Sequence, residues 1–439
     1  MRTIAPRYRG ACGRLYRDPL LAASGVPTIS LDGTACLLAN PSLLGEVTPE
    51  HLWKDTWLEW PNPTATETPG SLSRAFQLAL SDLCFGHSTI AVQTSGGLDS
   101  LAVLYHTCRL FPDRRVISVC GDVLDDNGTS TLAVVQQLIK SLRLTCELVA
   151  VHRKDWTRWP AWSPHGPFRT ASPEAHMAMV ACAKRLGATT LLSGDGSDEL
   201  VAAHRFMTKE IGQQLGLRAA LQYLRDARHT GPGVAGEILA LAANFAPPRS
   251  RIKMYWAVNW PDWCEPRAAA ILTPRYRSVA TDWASDWSKA TLKDHVLNRR
   301  SWAEAEAYDA WWPQPYLPPA DDLEEGSPFL HEAFVATALG QPLARKYSPA
   351  PLTEYHRFKV SVIELFDEDD RRYLPREKQY FKSLAAEIDD VPGDAPFAVD
   401  LGLFDQNALK RETDTATRKL ARSVERWLRD ASEQGVLFT

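Results

Sequence analysis

Between residues 71 and 192 the chain alternates strictly between four helical and four extended patterns, and few folds accommodate that order. Residues 71–83, 100–110, 130–142 and 173–186 read as helices, with Pro173 well placed in a first turn. Residues 88–94, 115–119, 145–151 and 189–192 read as strands. Strands that alternate with helices of this length want a parallel sheet covered on both faces. The expectation is an α/β fold: a parallel sheet of the five-stranded type, helices on both faces, and a helical C-terminal region. Ligands of such sheets sit at the carboxyl ends of the strands. The loops after Thr94 and Leu192 are therefore the places to look.

The rest of the chain divides around this core. A length of 439 residues with 45% hydrophobic composition suggests two to three folding units. Residues 1–70 read as a short cap and a linker, the latter being the turn-rich stretch from Trp60 to Gly70. The nucleotide-binding core spans 71–208, a tryptophan-rich helical insert 209–326, and a helical part 327–439. The insert and its edge hold Trp256, Trp260, Trp263, Trp283, Trp287, Trp302, Trp311 and Trp312. Aromatics are mostly packing, so these are expected to fill a core; the sharper reading is a wall for a bulky or peptidic substrate. The C-terminal residues 410–430 read as a charged helix with a solvated face.

Several functional classes lose support. A net charge of -4 gives no long-range attraction for nucleic acid. The eight cysteines form no CxxC pair, so neither a zinc site nor a disulfide framework is signalled, and reduced thiols in a cytoplasm are the simpler reading. No stretch reaches the roughly 18 to 20 apolar residues of a membrane span, and no membrane partner is expected.

The first chemical motif is Ser95-Gly96-Gly97-Leu98-Asp99-Ser100, set between a strand and a helix. Two adjacent glycines let backbone N–H groups close on an anion, the two serine hydroxyls add donors, and the helix start adds a positive dipole. Asp99 would repel phosphate unless a divalent cation lay between, which argues for magnesium. A plain tight turn with a capping aspartate is the bland alternative. The hexamer resembles the PP-loop of the N-type ATP pyrophosphatases, which cleave ATP between its α- and β-phosphates.

The second motif, Ser193-Gly194-Asp195-Gly196-Ser197-Asp198-Glu199, follows the strand at 189–192. Three carboxylates in five residues need cations or donors to neutralise them. Asp198 is the natural second magnesium ligand, facing Asp99 across a pyrophosphate. Alone, this motif could be an acidic surface turn.

Together the two motifs resemble the synthetase domain of the asparagine synthetase family, which includes β-lactam synthetases and lasso peptide cyclases. The resemblance implies the adenine nucleotide alpha hydrolase-like PP-loop fold. It also implies that Thr94, Ser95, Gly96, Gly97, Asp99, Ser100, Val119, Ser193 and Gly194 bind ATP, with magnesium on Asp99 and Asp198. It resumes at Ser327-Pro328-Phe329-Leu330, where His331 replaces the family's acid, and runs through Lys359 to Leu374-Pro375. The resemblance places Asp195 at the acyl-adenylate centre, where a short carboxylate could bind or deprotonate an amine. It also implies a catalytic lysine a few residues after Leu374-Pro375, for which Lys382 fits best and Lys378 is the alternative.

Glutamine-dependent members begin with a glutaminase domain whose nucleophile is a cysteine at position two. Here that position is Arg2, and the region before the motifs is far too short for such a domain. The expected enzyme is an AMP-forming carbon–nitrogen ligase that adenylates a carboxylate and passes it to an amine. Ring closure on a natural product or peptide is the favoured form, since effective molarity replaces an ammonia source. Two other readings stay open: an ammonia-dependent asparagine synthetase, and a silent partner that binds peptide. The substrate is a small-molecule or peptide carboxylate; whether a separate protein presents a peptide stays open as well.

Overall fold

The computed structural model describes residues 6–40, 49–59, 70–169, 172–229, 231–311, 323–387 and 395–439. The linker expected across 60–69 and Trp312 lie outside the described residues. In chain order the strands are β1 (Arg7–Gly10), β2 (Leu15–Tyr16), β3 (Thr28–Ile29), β4 (Thr56–Glu59), β5 (Thr89–Thr94), β6 (Arg115–Asp122), β7 (Glu147–His152), β8 (Thr190–Leu192), β9 (Glu324–Gly326) and β10 (Leu437–Phe438).

β5 to β9 form one parallel sheet in the order β7-β6-β5-β8-β9. The chain leaves β5 in one direction, through β6 to β7, and then returns to the other side of β5 as β8. The loops after β5 and β8 therefore run to opposite sides and leave a crevice between them, the switch point at which such sheets bind ligands. The fifth strand, β9, comes from the end of the segment read as a helical insert. Three residues are too few to show a period of two.

Side chains alternate across the sheet as the pleat demands. Ile90, Val92, Val116 and Leu192 enter one core with Leu101, Leu104 and Phe329. Ala91, Ile117, Val119 and Leu191 enter the opposite core, with Met177, Val180 and Ala183 of the helix Pro173–Arg185. The helix Leu72–Leu83 starts at Ser71, whose hydroxyl accepts the N–H of Arg74 at 3.5 Å. Both faces are thus covered, which is why β5 and β6 read as near-continuous apolar runs.

A separate core gathers distant parts of the sequence. Ile29, Leu31 and Leu37 near the start pack with Ile252, Trp256, Trp263 and Trp302, and with Leu420, Val424 and Trp427 near the end. The rings of Trp263 and Trp287 lie 4.5 Å apart, tilted, in the contact geometry of packed aromatics. Trp260, Trp283 and Trp287 pack against this core from its margin. The C-terminal helix Thr415–Glu433 is not merely a solvated face, because Leu420, Val424, Trp427, Leu428 and Ala431 recur at helical spacing and are all buried. Among the described residues no helix is long and apolar enough to cross a membrane.

Candidate functional site

At the end of β5 the chain turns through residues 95–97 into the helix Leu98–Leu110. Gly96 takes φ +74°, a region L side chains rarely adopt, and Gly97 caps the helix. The helix starts two residues earlier than its apolar pattern suggests. Asp99 therefore stands in the first turn, where the helix dipole is positive. The Ser95 N–H donates to Ser100 Oγ at 3.2 Å, and the two hydroxyls are 3.2 Å apart. The Leu98 N–H is taken by Tyr355 Oη at 3.3 Å.

The second loop leaves β8 and presses onto the first. A Cβ on Gly194 would stand 2.7 Å from the Ser100 nitrogen and 2.9 Å from the Asp99 carbonyl carbon, so only glycine permits this approach. The Ser197 hydroxyl donates to Asp99 Oδ1 at 2.5 Å. From a third part of the chain comes Lys359, between the helices Glu354–Phe358 and Val360–Ile363. Its ammonium donates to both oxygens of Asp99 at 2.8 Å and lies 2.5 Å from Asp198 Oδ1. The two carboxylates named from the motifs thus meet on one nitrogen atom. Lys378 Nζ lies 3.6 Å from Asp198 Oδ2.

Lys359 is the site residue that sequence reasoning left without a role. The available signal was a lone lysine in the apolar run Phe358-Lys359-Val360-Ser361-Val362-Ile363. Its side chain is 4% exposed, and a lysine that buried needs acids as partners. Burial pulls the Lys359 pKa down, but Asp99 and Asp198 outweigh it and hold the group above its ordinary value. For Asp198, burial pushes upward, yet Lys359 and Lys378 keep the carboxyl below its usual range.

The loops enclose a cavity of about 240 Å³ lined by Gln93, Ser95, Asp99, Ser100, Asp195, Asp198 and Glu199, among others. Asp195 opens onto it, accepting from Ser193 Oγ at 2.6 Å, while its carbonyl accepts from Ser327 Oγ at 2.6 Å. Surrounding protein pushes the Asp195 pKa up; Ser193 and the nearby His176 oppose this, whereas Glu325 and Asp99 add to it. His176 Nε2 sits 2.9 Å from Glu325 Oε2, both largely buried beneath the loop.

Other expected residues lie differently. Thr94 Oγ1 faces sideways within the sheet, 2.8 Å from Ser118 Oγ. The Val119 side chain is wholly inside the core, leaving only its backbone to offer a ligand. Lys382 is turned away: its ammonium lies 5.8 Å from the Tyr380 ring centre, and its N–H donates to Asp126 Oδ2 at 3.2 Å. Of the two lysines, it is Lys378 that reaches Asp198.

Glu199, enclosed near the loop, is pushed up to about 7, first by burial and then by the charges of Asp198 and Asp195. The fold therefore holds this proton more tightly than the unfolded chain does. The resulting stability is full below the ordinary value of 4.5 and is lost as pH rises through about 7. Glu199→Gln is expected to flatten that decline, which thermal melts between about pH 5 and 8 would read; an unchanged slope would assign the decline to other groups.

Two facing carboxylates beside the glycine-bearing turn are hard oxygen donors of the kind magnesium takes, with waters and phosphate oxygens completing its shell. The ammonium of Lys359 already shows that a positive charge is favoured between them. Among the described residues no group of three or more His, Cys, Asp or Glu could hold a metal by itself. Asp99 and Asp198 fit an ion that arrives with a nucleotide.

Comparison with known proteins places the chain in a family. The sequence pattern of the family described as asparagine synthase matches residues 71–388. Among solved structures, the U34-tRNA thiolase NcsA from Methanococcus maripaludis, with its 4Fe-4S cluster, is similar at 14% identity and a TM-score of 0.24. The match covers 56% of this chain and 80% of that one, a likeness too slight to bear on function. No curated protein matches the chain in sequence.

Proposed function

The chain belongs to the asparagine synthase family of ATP-using, amide-forming ligases, and from that premise we propose that it adenylates a substrate carboxylate and transfers the acyl group to an amine. The observation that carries this reading is the convergence of Asp99 and Asp198 on one cation at the switch point of the sheet. A substrate carboxylate oxygen attacks the α-phosphorus of ATP. The bond to the bridging oxygen breaks, and pyrophosphate leaves on the Ser95–Ser100 loop.

Asp99 and Asp198 would hold magnesium, which supplies charge neutralisation for the phosphates. Ser95, Ser100 and the backbone of Gly96 and Gly97 donate hydrogen bonds to the departing pyrophosphate. Lys378 places a second positive charge beside Asp198, where it serves the α-phosphate and the oxyanion of the tetrahedral stage. The amine nitrogen then attacks the acyl carbon, the acyl–phosphate bond breaks, and AMP departs.

The attacking amine must lose a proton, and Asp195 is the acceptor. A carboxyl whose pKa is raised is a better base at neutral pH than an ordinary aspartate. We favour an amine within the same substrate molecule, closing a macrolactam on a natural product or peptide. Support for ring closure is chemical: a tethered amine needs no ammonia supply.

Pyrophosphate release across a panel of peptide and small-molecule carboxylates, with hydroxylamine to trap the acyl-adenylate, tests the reading. Pyrophosphate and a hydroxamate are the expected products; orthophosphate and ADP would sink it. In the same assay Lys378→Ala is expected to lower turnover about a hundredfold, with Lys382→Ala close to wild type. The reverse ranking would return the catalytic role to Lys382.

A further inference from the structure

The segment after Leu374-Pro375 carries one group that the adenylation scheme leaves unused. Gln379 has both side-chain polar atoms, Nε2 and Oε1, buried and without a hydrogen-bond partner. Its Oε1 lies 2.7 Å from where a Cβ would project from Gly96, so the carboxamide rests directly on the phosphate cradle. The preceding residue, Lys378, reaches Asp198.

This placement is pinned by the backbone around it. The Asp126 N–H donates to the Tyr380 carbonyl at 2.8 Å, and the Asp126 carboxylate accepts the N–H groups of Lys382 and Ser383 at 3.2 and 2.9 Å. Residues 378–383 thus form a strap fastened across the loop. A buried primary amide brings two donors and an acceptor, and folded proteins rarely leave all of these unpaired. A ligand arriving at the cradle would give them partners.

We propose that Gln379 binds the polyphosphate of the nucleotide, its Nε2 donating to an oxygen of the pyrophosphate that departs. The inference rests on the reading that this cradle holds ATP. The pyrophosphate is the natural partner, because the carboxamide lies against Gly96 of the Ser95–Ser100 loop. A neutral amide adds a donor without adding charge. It also makes Gly96 doubly necessary, since a side chain there would displace the carboxamide as well as strain the turn.

The test is calorimetric titration of the full chain with magnesium-ATP, magnesium pyrophosphate and AMP, for wild type, Gln379→Leu and Gln379→Glu. Leucine is expected to weaken ATP and pyrophosphate about tenfold and to leave AMP unchanged, while glutamate weakens the first two further by repulsion. The melting temperature of ligand-free Gln379→Leu is expected to match or exceed wild type, because the unpaired atoms are gone, with a smaller rise on adding ATP. Should leucine disrupt the strap, Gln379→Met preserves the unbranched shape and serves instead. Unchanged pyrophosphate affinity in a variant that still binds ATP, or an equal loss for AMP, overturns the proposal and leaves the adenylation reading standing. Failure of wild type to bind either ATP or pyrophosphate would remove both.

Discussion

Asp99→Asn is expected to lower magnesium-dependent pyrophosphate release about a thousandfold, the size of effect seen when a group that stabilises transition-state charge is lost. The substitution keeps the shape of the side chain and an acceptor for the Ser197 hydroxyl, which now donates at 2.5 Å. What it removes is half of the negative charge that faces a metal-bound triphosphate. Asp198→Asn is expected to act similarly, and the double variant to be little worse than either, because residues acting as one unit are not additive. Turnover within about tenfold of wild type in both single variants would show that the pair does not serve the reaction.

The second large effect concerns stability. Lys359→Met replaces a buried ammonium by a side chain of similar length and leaves Asp99 and Asp198 facing each other. Breaking a buried ion pair by removing one partner costs about 3–5 kcal/mol, and the lower end is expected here because Asp198 is half exposed to solvent. The loss is expected to be specific in kind: magnesium at millimolar concentration restores much of the melting temperature of Lys359→Met and moves wild type far less. Calcium and sodium serve as controls for size and ionic strength. A deficit that no divalent cation relieves would mean that the lysine supports packing alone, and that the two acids do not form a cation site.

These two experiments bear on different halves of one arrangement. Asp99 and Asp198 are brought together by Gly194, which allows contact between the loops, and by Lys359, which neutralises them before any nucleotide arrives. A ligand-free enzyme with two unpaired carboxylates in a half-closed crevice would be strained by their repulsion. The lysine relieves that repulsion.

The alternation of helices and strands over residues 71–192 was readable because each core helix and each buried strand carries its own periodicity. The two acidic, glycine-bearing motifs stood out because a tight turn between a strand and a helix is built from a short, local set of residues. The tertiary structure alone showed three things. β9 joins the sheet from the far end of a long insert, although three residues carry no period. The tryptophans, the N-terminal residues Ile29, Leu31 and Leu37 and the helix Thr415–Glu433 share one core, although nothing in any of those segments names its partner. Lys359 and Lys378 take their places at the acids while Lys382 does not, because position at a site depends on how distant segments pack, and spacing after Leu374-Pro375 could not tell neighbouring lysines apart. Local hydrogen bonding and periodicity are written in consecutive residues; contacts between residues 260 apart are decided only when the cores close.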